Sequence, residues 1–143
     1  EMTGLPPGTP APPFELLDLN GNPQQLLQPL ALGKRLLLVF VNPRCAACEE
    51  LLPDINRWQN DASFPLEITV VSQGPGDWNK KKFDEYDSLR VLRQENFEVE
   101  SAYGVQFNPS ALLIGPDGTT ETPLILGNRA IRRFVAELFE SKA

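Results

Sequence analysis

Cys45 and Cys48 are the only cysteines in this 143-residue chain, and they stand three residues apart at the predicted start of a helix. Side chains at positions i and i+3 of a helix share one face, so the two sulfurs can form and reopen a short disulfide. Such a small loop adds little stability, because a crosslink restricts the unfolded chain more when its loop is long. The spacing therefore indicates thiol–disulfide exchange.

Within this pair, Cys45 is the candidate nucleophile and Cys48 is the candidate resolving thiol. Free backbone N–H groups and the helix dipole at a helix N-terminus stabilise a thiolate, the form of cysteine that attacks a disulfide. Arg44 adds a positive charge directly before Cys45 and is a candidate for thiolate stabilisation or for binding a client protein. An inert disulfide, two free core thiols and a metal site stay open as alternatives.

The composition excludes several other mechanisms. The chain contains no histidine, so neither a Cys–His nor a Ser–His nucleophile pair can form. Two cysteines with carboxylates alone are a poor ligand set for zinc or copper, and we expect neither a metal nor a cofactor. The net charge of −6 disfavours binding to nucleic acid or to an anionic membrane surface. No apolar run reaches the roughly 18 residues that would predict a transmembrane helix.

Hydrophobic periodicity predicts the elements that hold the cysteines. A continuous apolar run over 35–41 is typical of a strand buried on both faces, and it ends shortly before Cys45. A helix follows over 46–60, in which Pro53 is expected to introduce a kink. Further strands are predicted over 14–19, 66–71, 90–92, 111–114 and 121–126, with a turn at 20–22 and a short strand or turn over 24–30. Further helices are predicted over 77–89 and 97–103 and from Asn128, which is expected to cap the last one.

This order of elements indicates one α/β domain over 14–143, preceded by a proline-rich N-terminal arm over 1–13. Five of the 14 prolines lie in that arm, and they favour an extended, semi-rigid conformation. The chain begins with Glu1 and Met2, an unusual start for a natural protein, so we expect that a signal or anchor segment precedes it.

The cysteine motif and the order of elements together resemble the thioredoxin fold. The stretch 8–21 is similar to the N-terminal hairpin of the redoxin branch, which includes peroxiredoxins and the membrane-tethered disulfide reductases of cytochrome c biogenesis. The stretch 103–118 is similar to the region around the cis-proline of that fold. The resemblance implies a mixed sheet flanked by helices, with an N-terminal β-hairpin extension. It also implies that Pro109 is a site residue, cis and stacked against the disulfide, and that the backbone of Asn108 pairs with a substrate.

Three positions depart from the pattern of the families that the chain resembles. Val39 stands where thioredoxins carry a buried aspartate, and Leu51 stands where the cytochrome-biogenesis reductases usually carry a glutamate. Arg44 replaces the tryptophan that most members have before the first cysteine. The first two departures leave open which group takes the proton from Cys48.

The resemblance implies a thiol–disulfide oxidoreductase that acts on protein disulfides, more as a reductase than as an oxidase. Its expected partners are protein thiol or disulfide substrates and a membrane protein that donates electrons, with no nucleic acid. We expect a monomer outside the cytoplasm, held to the membrane only through an N-terminal anchor. A peroxiredoxin-like peroxidase is one alternative, although Asn42 stands where peroxiredoxins place a threonine. A non-catalytic assembly or scaffold domain is another.

Overall fold

The computed structural model describes residues 4–142, and within them seven strands form one mixed sheet. The strands are β1 (Glu15–Asp18), β2 (Pro23–Gln25), β3 (Leu36–Val41), β4 (Glu67–Gln73), β5 (Arg90–Gln94), β6 (Ser110–Ile114) and β7 (Ile125–Leu126). The helices are α1 (Ala46–Asn60), α2 (Gly76–Lys82), α3 (Glu98–Tyr103) and α4 (Gly127–Lys142), with a short 3₁₀ helix at Gln28–Leu32. The strand order is β2-β1-β5-β4-β3-β6-β7, and β1 and β2 form an antiparallel hairpin. The predicted α/β fold with an N-terminal hairpin is confirmed.

Strand β3 lies inside the sheet, and all six of its residues are buried. It runs parallel to β4 and antiparallel to β6. Alternate side chains enter two hydrophobic cores, one on each face of the sheet: Val39 packs with residues of α1 and α4, and Phe40 packs with residues of α3. Helices cover both faces of β3, and this explains why its sequence is a continuous apolar run.

Helix α2 is shorter than predicted, since it ends at Lys82 instead of continuing to 89. The chain then makes successive turns, in which the Tyr86 N–H donates to the Phe83 carbonyl and the Leu89 N–H donates to the Tyr86 carbonyl. Phe83 and Leu89 are both buried in the same core. Six residues apart, they would lie on different faces of a continuous helix, so burying both of them requires the turns.

The segment after β6 also differs from its prediction. Only Ile125–Leu126 of the predicted strand over 121–126 forms β7, which pairs with Ser110–Ala111. The prediction that Asn128 caps the last helix was wrong, because α4 already begins at Gly127. The side chain of Asn128 instead donates a hydrogen bond of 2.9 Å to the Ala47 carbonyl. It thereby joins the start of α4 to the cysteine motif.

Residues 4–13 of the predicted arm are hydrogen-bonded to the rest of the protein. The Gly8 N–H donates to the Thr120 carbonyl at 2.7 Å, and the Ala11 N–H donates to the Gly118 carbonyl at 2.8 Å. At the start of the segment, the Gly4 N–H donates to the Gly104 carbonyl at 2.9 Å. Gly104 has φ +71°, and a Cβ there would lie 2.8 Å from the Gly4 Cα, so this approach requires glycine. Residues 1–3 lie outside the described residues, and the division at residue 13 stays a prediction.

Candidate active site

The two thiols lie where the chain leaves β3 and enters α1. Cys45 is the N-cap of α1, with extended backbone dihedral angles, and its sulfur accepts a hydrogen bond of 3.1 Å from the Cys48 N–H. Both cysteines are free thiols in the structure; Cys45 is partly exposed, whereas Cys48 is 2% exposed. One sulfur therefore faces incoming molecules and the other lies behind it, in the positions that nucleophilic attack and resolution require.

The loop before β6 lies against Cys45. Strands β3 and β6 are antiparallel, with Phe40 opposite Ser110, and this register brings the residues before Ser110 next to the end of β3. The Asn108–Pro109 peptide bond is cis, as predicted, and Pro109 is buried. The Cys45 thiol donates to the Asn108 carbonyl, with 3.7 Å between sulfur and oxygen. The structure thus brings Cys45, Cys48, Asn108 and Pro109 together in one place.

Cys48 is held as a neutral thiol. Burial, the hydrogen bond with Cys45 and the nearby charges of Cys45 and Glu100 together raise the pKa of Cys48 to about 12, although a hydrogen bond with the Asn42 backbone lowers it in part. Cys48 can attack a disulfide only as a thiolate. A proton acceptor is therefore needed when Cys48 reacts near neutral pH.

Alkylation of the reduced protein should distinguish the two sulfurs. We expect iodoacetamide near neutral pH to modify Cys45 and to leave Cys48 unmodified in the folded protein, because Cys48 is buried and protonated. Peptide mass spectrometry would locate the modification, and the same reaction in denaturant, where both thiols should react, is the control. Equal labelling of both cysteines in the folded protein would contradict this assignment.

Arg44 lies at the rim of the site, beside an exposed tryptophan. Its guanidinium carbon is 4.4 Å from the ring centroid of Trp78, which is 45% exposed. The backbone N–H of Arg44 donates to the Asn42 side chain at 3.0 Å. A stacked guanidinium on an exposed indole is the kind of surface that contacts partner proteins.

A cavity of about 520 Å³ opens beside Cys45 and contains residues that sequence reasoning missed. Phe97 and Phe107 line it and are 47% and 52% exposed, and the carboxyl of Glu100 also lies on its wall. Asn108 belongs to the same cavity. Glu100 and Phe97 lie in or beside α3, and the sequence pattern carries no signal that either one faces Cys45, because the contact depends on tertiary structure.

The conformation of Phe97 is unusual. Among residues 4–142 it is the one non-glycine residue with positive φ, at +56°. The backbone there is held by hydrogen bonds: the Phe97 N–H donates to the Gln73 side chain at 3.0 Å, and the Glu98 carboxylate accepts from the N–H groups of Glu95 and Asn96. A bulky residue in this region costs about 1–2 kcal/mol. The loop therefore presents an aromatic ring to solvent at an energetic cost, which is characteristic of functional sites.

Within the described residues, no helix combines the length and hydropathy needed to cross a bilayer. In the same part of the chain, no three His, Cys, Asp or Glu side chains are grouped so that they could hold a metal ion.

A mixed sheet of this order, with a dithiol after the interior strand β3 and a cis-proline beside it, defines a thioredoxin-like thiol–disulfide oxidoreductase. The chain belongs to the AhpC/TSA family, whose model matches residues 7–122. It is 32% identical to the thiol-disulfide oxidoreductase ResA of Geobacillus thermodenitrificans over 124 residues, which cover 82% of this chain and 68% of that protein.

Solved structures show the same fold. The thioredoxin domain of a thiol-disulfide oxidoreductase from Bacteroides vulgatus superimposes with a TM-score of 0.76 at 24% identity, over 94% of this chain and 98% of that one. A secreted disulfide oxidoreductase from Mycobacterium tuberculosis superimposes with a TM-score of 0.64 at 20% identity, over 75% of this chain and 79% of that one. The family match and the similarity to ResA confirm the predicted family and the predicted class of activity.

Proposed function

We propose that this protein reduces disulfides in other proteins, with Cys45 as the nucleophile and Cys48 as the resolving thiol. The supporting observation is the arrangement of the two sulfurs: Cys45 is accessible at the start of α1, 3.7 Å from the Asn108 carbonyl, and Cys48 is buried behind it. In this proposal Pro109 belongs to the reaction site, and the Asn108 backbone and Arg44 contact the client.

The proposed cycle transfers two electrons to the client. The Cys45 thiolate attacks one sulfur of the client disulfide, forms a mixed disulfide and releases the other client sulfur, which takes a proton. Cys48, after losing its proton, attacks the Cys45 sulfur. This forms the Cys45–Cys48 disulfide and releases the second client sulfur as a thiol. A dithiol donor then reduces the protein by the same exchange in reverse.

The environment of the sulfurs supports reduction over oxidation. Strongly oxidising members of this chemical class stabilise their reduced form, which makes the disulfide a better electron acceptor. Here Ala46 and Ala47 offer the sulfurs neither a charge nor a side-chain donor, and burial keeps Cys48 protonated instead of stabilising its thiolate. Arg44, the cation next to Cys45 in the sequence, stacks on Trp78.

Two assays test this proposal directly. The reduced protein should reduce disulfides of a model protein substrate when a dithiol regenerates it, and it should consume hydrogen peroxide no faster than a free dithiol. Equilibration with glutathione buffers should place the Cys45–Cys48 potential on the reducing side of the glutathione couple. Efficient peroxide turnover would favour the peroxidase alternative, and absence of both activities would favour a scaffold.

We further infer that the protein works outside the cytoplasm as a monomer and receives electrons from a membrane protein. This inference rests on the resemblance to membrane-tethered reductases. Labelling of Cys45 in intact cells by a membrane-impermeant thiol reagent would test the location, and labelling only after lysis would contradict it.

The exposed ring of Phe97 should matter for protein clients. We expect Phe97→Gly to lower kcat/KM for a protein disulfide about 5- to 10-fold, because the ring lies on the cavity beside Cys45 and contributes apolar contact area. The free energy of unfolding should change by less than about 1 kcal/mol, since glycine relieves the strain at φ +56° but adds freedom to the unfolded chain.

Parallel kinetics on a protein disulfide and a small disulfide would check this effect of Phe97. The rate with the small disulfide should stay unchanged, because such a substrate reaches Cys45 without covering the ring. Leu32→Gly is the matched control, since Leu32 is 67% exposed on the 3₁₀ helix and does not line the cavity. An equal loss with both substrates would show that Phe97 acts only through the structure of the site.

A further inference from the structure

We propose that Glu100 is the group that accepts the proton of Cys48 when Cys48 resolves the mixed disulfide. This assignment rests on the proposed function and names a residue for a step that the cysteines alone leave incomplete. The two positions at which related families place an acid near this motif are occupied here by Val39 and Leu51, neither of which can take up a proton. Glu100 reaches the site from a different element, helix α3.

Hydrogen bonds through Asn108 link Glu100 to Cys45, whose sulfur in turn accepts from the Cys48 N–H. The Gln94 side-chain amide donates to one carboxyl oxygen of Glu100 at 2.7 Å, and the Asn108 side-chain amide approaches the other at 3.5 Å. The carbonyl of the same Asn108 accepts from the Cys45 thiol. Cys45 and Glu100 line one cavity, and Glu100 is near enough for its negative charge to raise the pKa of Cys48.

Gln94 also fixes the Glu100 carboxyl by binding the backbone of α3. The oxygen of the Gln94 side-chain amide accepts hydrogen bonds from the backbone N–H groups of Val99 and Glu100 at 2.9 Å and 3.1 Å. Gln94 thus binds both the backbone and the carboxyl of Glu100, and Gln94 is itself fully buried. A carboxyl held in this way points in one direction, which proton transfer requires.

Glu100 lies in an environment that suits an acid–base group. It is 5% exposed, and among residues 4–142 it has no ion-pair partner. Burial raises the pKa of Glu100 above the ordinary value, and the hydrogen bonds from Asn108 and Gln94 oppose that rise only in part. A raised pKa brings the proton affinity of the Glu100 carboxylate closer to that of a thiolate. This closer match favours proton transfer from Cys48 to Glu100 at neutral pH.

The charged and titratable groups around this carboxyl are few. Arg44 from the loop before α1 and Cys45 share the cavity with it, and Cys48 lies behind Cys45. Strand β5 and the loop before β6 present the neutral amides of Gln94 and Asn108. On its own helix, Glu98 instead binds the backbone N–H groups of Glu95 and Asn96.

The step balances with Glu100 as acceptor. In the mixed disulfide, the Cys48 proton moves to the Glu100 carboxylate, and the Cys48 thiolate attacks the Cys45 sulfur. The Cys45–client bond breaks as the Cys45–Cys48 bond forms. The departing client thiolate takes a proton, which the Glu100 carboxylic acid or water can return, so Glu100 ends the cycle ionised.

Reaction of the reduced protein with the aromatic disulfide DTNB, followed by stopped-flow absorbance, tests this assignment. The first equivalent of coloured thiolate reports attack by Cys45, at a rate proportional to DTNB concentration. The second equivalent reports attack by Cys48 on the mixed disulfide, at a rate independent of that concentration. Only the second phase requires Cys48 to lose its proton. The rates of the two phases therefore report separately on attack by Cys45 and on attack by Cys48.

We expect Glu100→Gln to slow the second phase about 10- to 100-fold near neutral pH, since general-base removal has effects of this order. The first phase should change less than about twofold. The deficit should shrink as pH rises, because hydroxide then takes the Cys48 proton. Glu137→Gln removes a carboxylate from the exposed surface of α4 and should leave both phases unchanged, because Glu137 does not line the cavity.

Several outcomes would overturn the assignment. If Glu100 acted only through its charge, Glu100→Gln would ease ionisation of Cys48 and accelerate the second phase. An unchanged second phase, or a deficit equal at every pH, would also refute proton acceptance. A wild-type protein without a first phase would contradict the proposed function itself, and this assignment with it.

The wild-type protein offers a measurement that does not depend on how the variant folds. The second-phase rate of the wild-type protein should rise as the Glu100 carboxyl ionises and then level off as pH increases through the neutral and mildly alkaline range. A rate that instead rises in proportion to hydroxide throughout that range would exclude Glu100 as the acceptor.

Discussion

Replacing Cys45 with serine is expected to lower turnover of protein disulfides by at least about a thousandfold, because a serine hydroxyl is a far weaker nucleophile than a thiolate. The fold should be retained. Serine is a favourable N-cap residue, and its oxygen can replace the sulfur as acceptor for the Cys48 N–H, so the free energy of unfolding should change by less than about 1 kcal/mol.

Steady-state kinetics and a thermal melt would check both parts of this expectation for Cys45. Ala46→Ser is the matched control, since it adds a hydroxyl to the next residue, which is exposed. Turnover that survives Cys45→Ser would show that Cys48 attacks clients directly, contrary to its burial. If the wild-type protein had no turnover to lose and the variant still bound clients, the scaffold alternative would be favoured.

Replacing Cys48 with serine should have the opposite consequence for client complexes, because it leaves the attacking thiol and removes the resolving one. We expect a mixed disulfide between Cys45 and the client to accumulate to nearly one equivalent, where the wild-type protein shows almost none. Non-reducing electrophoresis and intact mass spectrometry would detect the complex, and a small dithiol should release it.

The Cys48 site is buried, so serine there places a hydroxyl in the core, at a cost of about 1–3 kcal/mol if it finds no partner. Cys48→Ala avoids that hydroxyl and should trap the same complex. The double variant with Cys45→Ser and Cys48→Ser is the control and should capture no client. Failure of both single variants to trap a client would contradict the assignment of Cys48 as the resolving thiol.

Glu100 connects these expectations, since the trapped complex is the species whose decay it is proposed to assist. A defect at Glu100 should therefore lengthen the life of the mixed disulfide without preventing its formation. Cys48→Ser removes the same step completely, so the lifetime of the mixed disulfide in that variant is the longest that a Glu100 variant can reach.

Much of the fold near the site could be predicted because the signals are local. The apolar run of β3 and the 3.6-residue periodicity of α1 record burial directly in residue type, and both elements were found at nearly their observed bounds. Predictions failed where tertiary contacts override periodicity. Phe83 and Leu89 are both buried in the core because the chain turns between them. Asn128 donates a hydrogen bond to the Ala47 carbonyl instead of capping the helix.

By itself, the sequence determined the reacting groups: two thiols three residues apart after a strand buried on both faces, with no histidine to offer another chemistry. The family resemblance placed Asn108 and Pro109 beside them, whereas Glu100 was placed there only by the tertiary structure. Glu100 and Asn108 stand 55 and 63 residues after Cys45 in the chain, and the pairing of β3 with β6 and the packing of α3 bring them to the thiols. A residue's type and its near neighbours record whether it is buried, but not which distant residue it meets, because that depends on how all the elements pack.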